Sequence, residues 1–319
     1  MGKQIRIYLA DGSVTGVRHA EITNWTGQAL ACPRTRFEDL RKWSELKRPG
    51  VYLLFGVTEE TSDAAVYIGE SESVIERLVT HSSEKEFWSD LIAFTSKDEN
   101  LTKAHVRYLE ARFCQLAVAA NRYRVLNATQ PQLPVLPRPD RDAMEEFIEH
   151  ARTLLGVLGH RVLDPYVTPP RSIQNESPNM LELEVEDTSI QPSYVANSPI
   201  FSLRVNDLAT QAVRTDEGFV VLSGSEVNRT THTSLSASNR VLRDKLIASG
   251  TLVDDGSRLR LLKDQLFNSS SQAAGFIVGY SISGPSEWRL SDGTRLSEYE
   301  AVKAHQVIKT LSTDESGDG

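Results

Sequence analysis

Tyr67, Arg77 and His81 stand ten and four residues apart in AVYIGESESVIERLVTH, residues 65–81. A second tyrosine, Tyr52, lies just upstream in GVYLLF (50–55). Phenol, guanidinium and imidazole together can hold an anion and exchange protons near neutrality. That chemistry requires the local fold to bring the four side chains together.

The apolar runs GVYLLF (50–55) and AAVYIG (64–69) have strand length and flank the polar stretch GVTEETSD, which predicts an antiparallel hairpin. Positions 52 and 67 are symmetric about a turn centred between Glu59 and Glu60. A symmetric hairpin therefore pairs Tyr52 directly with Tyr67, on one face and about 5 Å apart. Gly69 is expected to let the chain leave the sheet. Ser73 and Glu76 fit the Ser-x-x-Glu capping box that opens a helix. In that helix Val74, Ile75, Leu78 and Val79 are the expected buried stripe, with Arg77 and His81 together at its border. The turn thus delivers a cation and an imidazole beside the phenols. The next long helix, NLTKAHVRYLEARFCQLAVAA (100–120), carries an apolar stripe through Leu109, Phe113, Leu116 and Ala120. Glu110 borders that stripe, half sheltered, where either a metal ligand or an ordinary border carboxylate would sit.

GVY (50–52) and YIG (67–69) resemble the paired motifs of the GIY-YIG nuclease superfamily, with Val51 replacing the usual isoleucine. Arg77, Glu110 and Asn127 in RVLNAT follow in the order and approximate spacing of that family's other signature residues. His81 stands where several members carry a histidine. The resemblance covers roughly residues 49–130, and the flanks 1–48 and 131–160 are similar to those of a bacterial subgroup. It implies a small three-stranded antiparallel sheet flanked by helices and a metal-dependent endonuclease site acting on DNA, with RNA as a further possible substrate. Glu110 would be the single protein ligand to Mg²⁺ or Mn²⁺, with water and phosphate oxygens completing the shell. Tyr67 would activate water, Arg77 would hold the phosphate, Tyr52 and His81 would orient the nucleophile or share the proton, and Asn127 would support the site. Gly69 and Arg77 would line the substrate path. Residues 201–300 resemble a poorly characterised small domain often appended to that subgroup.

The rest of the chain frames this region. A length of 319 residues with 39% hydrophobic and 24% charged residues predicts a globular protein of two ordinary domains, or of one with appendages; the elements and the resemblance together imply the α/β (α+β) class with a second small α+β domain. The expected divisions are a strand and helix flank (1–48), a nuclease core (49–135), a helical extension (136–163), a linker (164–200), an accessory α+β domain (201–311) and a disordered acidic tail (312–319). Within them, PRTRFEDLRKWSEL (33–46), DAMEEFIEHARTLLGVLG (142–159), SNRVLRDKLIASG (238–250), SQAAGFIVG (271–279) and residues 298–311 read as helices. GFVVLSG (218–224) reads as a strand, LELEVED (181–187) as a strand or acidic spacer, and EWRLSDGTRL (287–296) as a hairpin turning at Asp292-Gly293.

No apolar run approaches the roughly 20 residues of a membrane helix, and MGKQIRIYLADGS lacks an apolar signal core. Cys32 and Cys114 have no framework or metal-ligand spacing, so the cytoplasm is the expected compartment. The net charge of −8 divides as −2 over residues 1–165, with 21 cations and 23 carboxylates, and −6 over the remainder, with 14 and 20. Neither part has the overall basic charge of a typical nucleic-acid-binding domain, so contact with a polyanion must be local or aided by a metal. The seven histidines form no His-x-x-x-His pair, and no phosphate-loop lysine, dinucleotide glycine fingerprint or Gly-x-Ser-x-Gly elbow occurs. Two alternatives to an enzyme stay open: a catalytically silent nucleic-acid-binding module, and a protein-interaction component using the C-terminal domain as its partner surface.

Overall fold

The computed structural model describes residues 2–58, 63–167, 199–203, 205 and 208–303, with the backbone alone for 82–84. The chain divides into two compact units, residues 1–165 and 166–319.

The N-terminal unit opens with strands β1 (Ile5–Leu9), β2 (Arg18–Ile22) and β3 (Gly27–Pro33), then the short helix α1 (Phe37–Leu40) between 3-10 turns at Arg34–Arg36 and Ser44–Lys47. Strands β4 (Gly50–Val57) and β5 (Ala64–Ser71), helix α2 (Val74–Glu84), strand β6 (Trp88–Ser96) and helix α3 (Lys103–Ala120) follow in the expected order. The two-residue strand β7 (Arg124–Val125) and helix α4 (Arg138–Val157) complete the unit.

These strands form a single seven-stranded sheet in the order β1-β2-β3-β6-β4-β5-β7, rather than the expected small three-stranded one. The expected trio β6-β4-β5 lies inside it. The N-terminal flank joins the trio because β3 is buried along nearly its whole length and pairs with β6 from Gly27↔Ser96 to Pro33↔Asp90. An apolar strand with both faces covered must sit inside a sheet, not at its margin.

Each face of this sheet has its own core. Helices α3 and α4 cover one face, where Val51, Leu53, Ile68, Ile92 and Phe94 pack against Val106, Leu109, Phe113, Phe147 and Leu154. Each such side chain contributes about 1.5–3 kcal/mol when fully buried. The other face gathers Leu30, Tyr52, Leu54, Leu91 and Ala93 under Phe37, Leu40, Leu46, Val74 and Leu78. Tyr52 therefore points away from α3. The helix predicted at 33–46 is broken: after α1 the chain turns at Arg41–Lys42 before the second 3-10 turn. Cys32 and Cys114 are buried free thiols, and burial pushes each up to about 12.

The C-terminal unit has strands β8 (Ile200–Leu203), β9 (Gln211–Thr215), β10 (Gly218–Val221) and β11 (Glu226–Val227), followed by helix α5 (Ala237–Ala248). Strands β12 (Leu252–Asp254), β13 (Leu259–Leu261) and β14 (Gln265–Phe267), helices α6 (Ser270–Val278) and α7 (Gly284–Glu287), and strand β15 (Trp288–Arg289) follow. They form a five-stranded sheet, β14-β10-β9-β8-β15, and a three-stranded one, β11-β13-β12. The predicted strand at 218–224 and the helices at 238–250 and 271–279 are present, and Gly250 and Gly279 adopt positive φ where α5 and α6 end. Arg243 is 3% exposed and donates to the Phe276 carbonyl at 2.8 Å, satisfying a carbonyl at the C-terminal end of α6. The chain predicted as a hairpin at 287–296 does turn at Asp292-Gly293, where the Leu290 N–H donates to the Thr294 carbonyl at 2.9 Å, but the pairing is a single Arg289↔Arg295 bridge, and β15 also pairs with β8. Trp288 is fully buried and donates to the Ser270 carbonyl at 2.9 Å, so it is a core residue.

Of the predicted linker (164–200), residues 168–198, including LELEVED, lie outside the described residues, as do residues 304–319. Among the described residues no helix is long and apolar enough to cross a membrane.

Candidate functional site

The hairpin that carries the two tyrosines has a different register from the symmetric one. Tyr52 pairs with Gly69, and Leu54 pairs with Tyr67. The last ladder pair is Val57↔Ala64, and the connection is closed by the Thr58 N–H donating to the Asp63 carbonyl at 2.9 Å. A slip of two residues preserves side-chain parity, so both phenols still share a face, diagonally rather than side by side. Their ring centres lie 6.4 Å apart.

Gly69 does not break the sheet; it lies within β5. Its role is spatial. A methyl group there would lie 2.4 Å from the Tyr52 hydroxyl and 2.5 Å from Cζ. The buried Tyr52 ring crosses the strand where only glycine leaves room, and this contact favours the observed register over the symmetric one.

Helix α2 starts at Ser73 without a side-chain cap, so the predicted Ser73–Glu76 box is absent. Ser71 acts instead: its Oγ accepts from the Ser73 N–H at 3.1 Å and donates to the Ser73 carbonyl at 2.8 Å. The buried side of α2 also differs from the predicted stripe. Val79 is 38% exposed, while His81 is 3% exposed. Imidazole replaces valine inside because it has polar and aromatic partners there. His81 Nδ1 and the Tyr52 hydroxyl are hydrogen-bonded at 3.1 Å, and the imidazole meets the Tyr67 ring edge-on at 5.2 Å.

Arg77 is exposed on α2, and its guanidinium acts on both phenols through its charge. Burial raises the pKa of both tyrosines, and Arg77 opposes that rise. Both phenols are therefore neutral near pH 7. Tyr52 also opposes the rise at Tyr67, so Tyr67, Tyr52 and His81 form one contiguous polar group in which Tyr52 and His81 are hydrogen-bonded.

Glu110 arrives from α3, the helix on the opposite face of the sheet. Its carboxyl is raised to about 7, first by burial and next by the neighbouring Glu70 carboxylate. The backbone N–H of Glu70 donates to it, and Arg107 and Arg77 also favour its ionised form. These offset only part of the cost of burial and of the second carboxylate, so a divalent cation would favour the ionised form further. Among the described residues no group of three or more His, Cys, Asp or Glu side chains could hold a metal. Glu110 and Glu70 are the two carboxylates that interact here, a donor set of the oxygen type that hard divalent ions take.

Asn127 is placed by pairing rather than by chemistry. Strand β7 runs parallel to β5, and the Asn127 side chain extends that ladder by one step. Its Oδ1 accepts from the Ile68 N–H at 3.1 Å, and its Nδ2 donates to the Ile68 carbonyl at 2.7 Å. Ile68 lies between Tyr67 and Gly69, so this bidentate grip fixes the edge of the YIG segment. Asn127→Ala leaves both backbone groups without these partners and should cost about 1–3 kcal/mol, visible as a lower melting temperature of the full chain.

Lys85 was not singled out from the sequence. Its ammonium lies 4.2 Å from the centre of the Tyr67 ring, and its carbonyl accepts from Arg34 Nη1 at 2.8 Å. Lys85 follows His81 by four residues, as His81 follows Arg77, but it lies just past the end of α2 in extended backbone.

Residues 201–300 match the family model described as a domain of unknown function, DUF4357. No curated protein and no solved structure matches the chain. The family match lies wholly in the C-terminal unit, and its description assigns no activity.

Proposed function

We propose that the N-terminal unit is a divalent-metal-dependent phosphodiesterase that cuts a nucleic-acid strand, with DNA the foremost substrate. One observation carries this reading: side chains from positions 52, 67, 77, 81 and 110, on two strands and two helices, converge on one electrostatically coupled cluster.

In this reading Arg77 holds the scissile phosphate and offsets charge developing on its oxygens. A divalent ion at Glu110 would supply Lewis-acid stabilisation of the phosphate and leaving oxygen. As the attacking water gives a proton to Tyr67, Tyr67 passes its own phenol proton to Tyr52 and Tyr52 passes its proton to His81 Nδ1 across their hydrogen bond, so that the charge ends on the imidazolium. Burial helps here, because water cannot short-circuit a path whose inner members are 0% and 3% exposed. Gly69 and Asn127 hold the strand that presents Tyr67. The C-terminal unit would select the substrate or a protein partner.

A second reading has its own support. Both phenols are raised above their ordinary range by burial, as suits a silent binding module. Purified protein should be incubated with single-stranded, duplex, branched and modified DNA, and with RNA, in Mg²⁺, Mn²⁺ or EDTA. Cleavage in metal and none in EDTA is the expected result. A folded protein that cuts nothing in this panel would defeat the catalytic reading; salt-sensitive binding without cleavage would favour the silent module.

A further inference from the structure

The sheet register joins the candidate site to a second feature on the same face. Tyr8 pairs with His19, His19 with Leu30, Leu30 with Ala93, Ala93 with Tyr52, and Tyr52 with Gly69. Cross-strand partners share a face, so Tyr8 and His19 lie in the same transverse row as Tyr52. Four strand spacings separate Tyr8 from Tyr52, about 20 Å at the usual interstrand distance.

At the far end of that row the side chains form an aromatic group. Tyr8 is on the edge strand β1 and is 60% exposed. Its ring lies 6.4 Å from that of Trp43, and His19 lies 5.9 Å from Trp43 on another side. Trp43 is half-buried, packed on the same core cluster as Tyr67. Core packing accounts for the inner part of Trp43. It does not account for an exposed tyrosine placed against that indole on an edge strand.

The local charge is also distinctive. The segment 34–48 that presents Trp43 has six cations and three carboxylates, a net of +3 in a chain of net −8. Arg48, at its end, donates to the Ser96 carbonyl at 2.8 Å and has no carboxylate partner among the described residues. Arg6 shares the face of Tyr8, two residues away along β1. Within that segment Arg36, Arg41 and Lys42 pair with Asp11, Asp39 and Glu38, which leaves Arg48 beside one exposed and two half-buried rings; aromatic faces next to a cation are the pattern on which unpaired bases stack while phosphates are neutralised. A membrane or an acidic peptide would use the cations but would not need a rigid aromatic cluster.

We infer that Tyr8, Trp43 and His19 form a stacking platform for the bases of an unpaired nucleic-acid strand whose backbone continues to the Tyr67–Arg77–Glu110 site. The inference rests on the proposed nuclease reading for its choice of partner. It adds a substrate form: a strand single-stranded a few nucleotides from the cut, because bases inside a duplex cannot present their faces to a ring.

The test measures binding in EDTA, where cleavage is absent, using the full chain. The probes are fluorescein-labelled oligo-dT and oligo-rU of 20 nucleotides and a 20-base-pair duplex. Wild type should bind the single strands more tightly than the duplex, and the dT and rU arms show whether the sugar matters. Tyr8→Ala and Trp43→Leu should each weaken single-strand binding by roughly fivefold or more, the loss of one stacked base, with duplex binding changed by less than twofold. Tyr8 is exposed, so its variant should fold even if Trp43→Leu does not. Single-strand affinity unchanged within twofold in Tyr8→Ala, or a preference for duplex, overturns the platform. So does a shift from dimer to monomer on Tyr8→Ala in sedimentation, which would make the surface an interface between copies. Metal-dependent cleavage with unchanged strand affinity would defeat the platform and spare the nuclease reading; Tyr8-dependent binding without cleavage would do the reverse.

Discussion

Glu110→Gln should lower metal-dependent cleavage by on the order of a thousandfold or more and yet stabilise the metal-free protein at alkaline pH. Glutamine preserves the shape of the side chain and its acceptor toward the Glu70 N–H, but removes the charge. In the folded protein the carboxyl is held up to about 7 by burial and by Glu70, against 4.5 for a free glutamate. Below about 4.5 both folded and unfolded states are protonated, and the residue costs nothing. As pH rises the unfolded chain ionises first and the folded chain resists, so stability falls until the pH passes about 7 and then levels off. With solvent screening allowed for, the ionised residue costs about 1–2 kcal/mol at pH 8. Thermal unfolding in EDTA should therefore show wild type and variant alike near pH 4, with the variant melting a few degrees higher at pH 8.

The same pair of proteins tests the metal site without relying on activity. Mg²⁺ or Mn²⁺ at pH 8 should raise the wild-type melting temperature and leave Glu110→Gln nearly unchanged, because a ligand stabilises only the state that binds it. Equal stabilisation of both proteins would place the ion elsewhere. A variant that cleaves as well as wild type would remove Glu110 from the mechanism.

Several features of this site were legible in the sequence for a definable reason. A slip of two residues changes which residue faces Tyr52 but not the face on which Tyr52 and Tyr67 stand, so parity survived a register that symmetry misplaced. The register depended on the volume of one ring over one glycine, which no pattern of apolar residues encodes. Helical spacing placed Arg77 and His81 on one side of α2 but gave the buried position to Val79, since hydropathy cannot anticipate a phenol waiting to bond an imidazole. The seven-stranded sheet was hidden because the N-terminal flank contributes an exposed edge strand, IRIYL, and its buried strand shows a continuous apolar run rather than alternation. Asn127 was legible as a supporting residue, whereas its grip on Ile68 required knowing that β7 runs parallel to β5. The aromatic cluster of Tyr8, His19 and Trp43 joins three elements and has no local signature.

Gly69→Ala should strongly destabilise the N-terminal unit and disrupt the candidate site in one step. The backbone at Gly69 is not among those with positive φ, so alanine meets no conformational penalty there and the cost is one of space. The new methyl would lie 2.4 Å from Tyr52 Oη, 2.5 Å from Cζ and 3.0 Å from Cε1. The Tyr52 ring is 0% exposed, beneath Leu54, Val74 and Leu78, and cannot move away without displacing that core. Overpacking of this kind costs about 1–3 kcal/mol, and a ring forced aside also loses its 3.1 Å bond to His81, a further 1–3 kcal/mol or so if the buried imidazole is left unsatisfied. The melting temperature of the unit should fall by roughly 5–15 °C, and the path from Tyr67 to His81 should be cut. The double variant Gly69→Ala/Tyr52→Leu separates collision from any general intolerance of alanine in β5. Removing the ring removes the clash, so the double variant should be less destabilised than the sum of the two single changes, with a coupling of about 1–3 kcal/mol. Additive effects would show that the Tyr52 ring does not depend on the absence of a side chain at position 69, and the account of the register would fall with it.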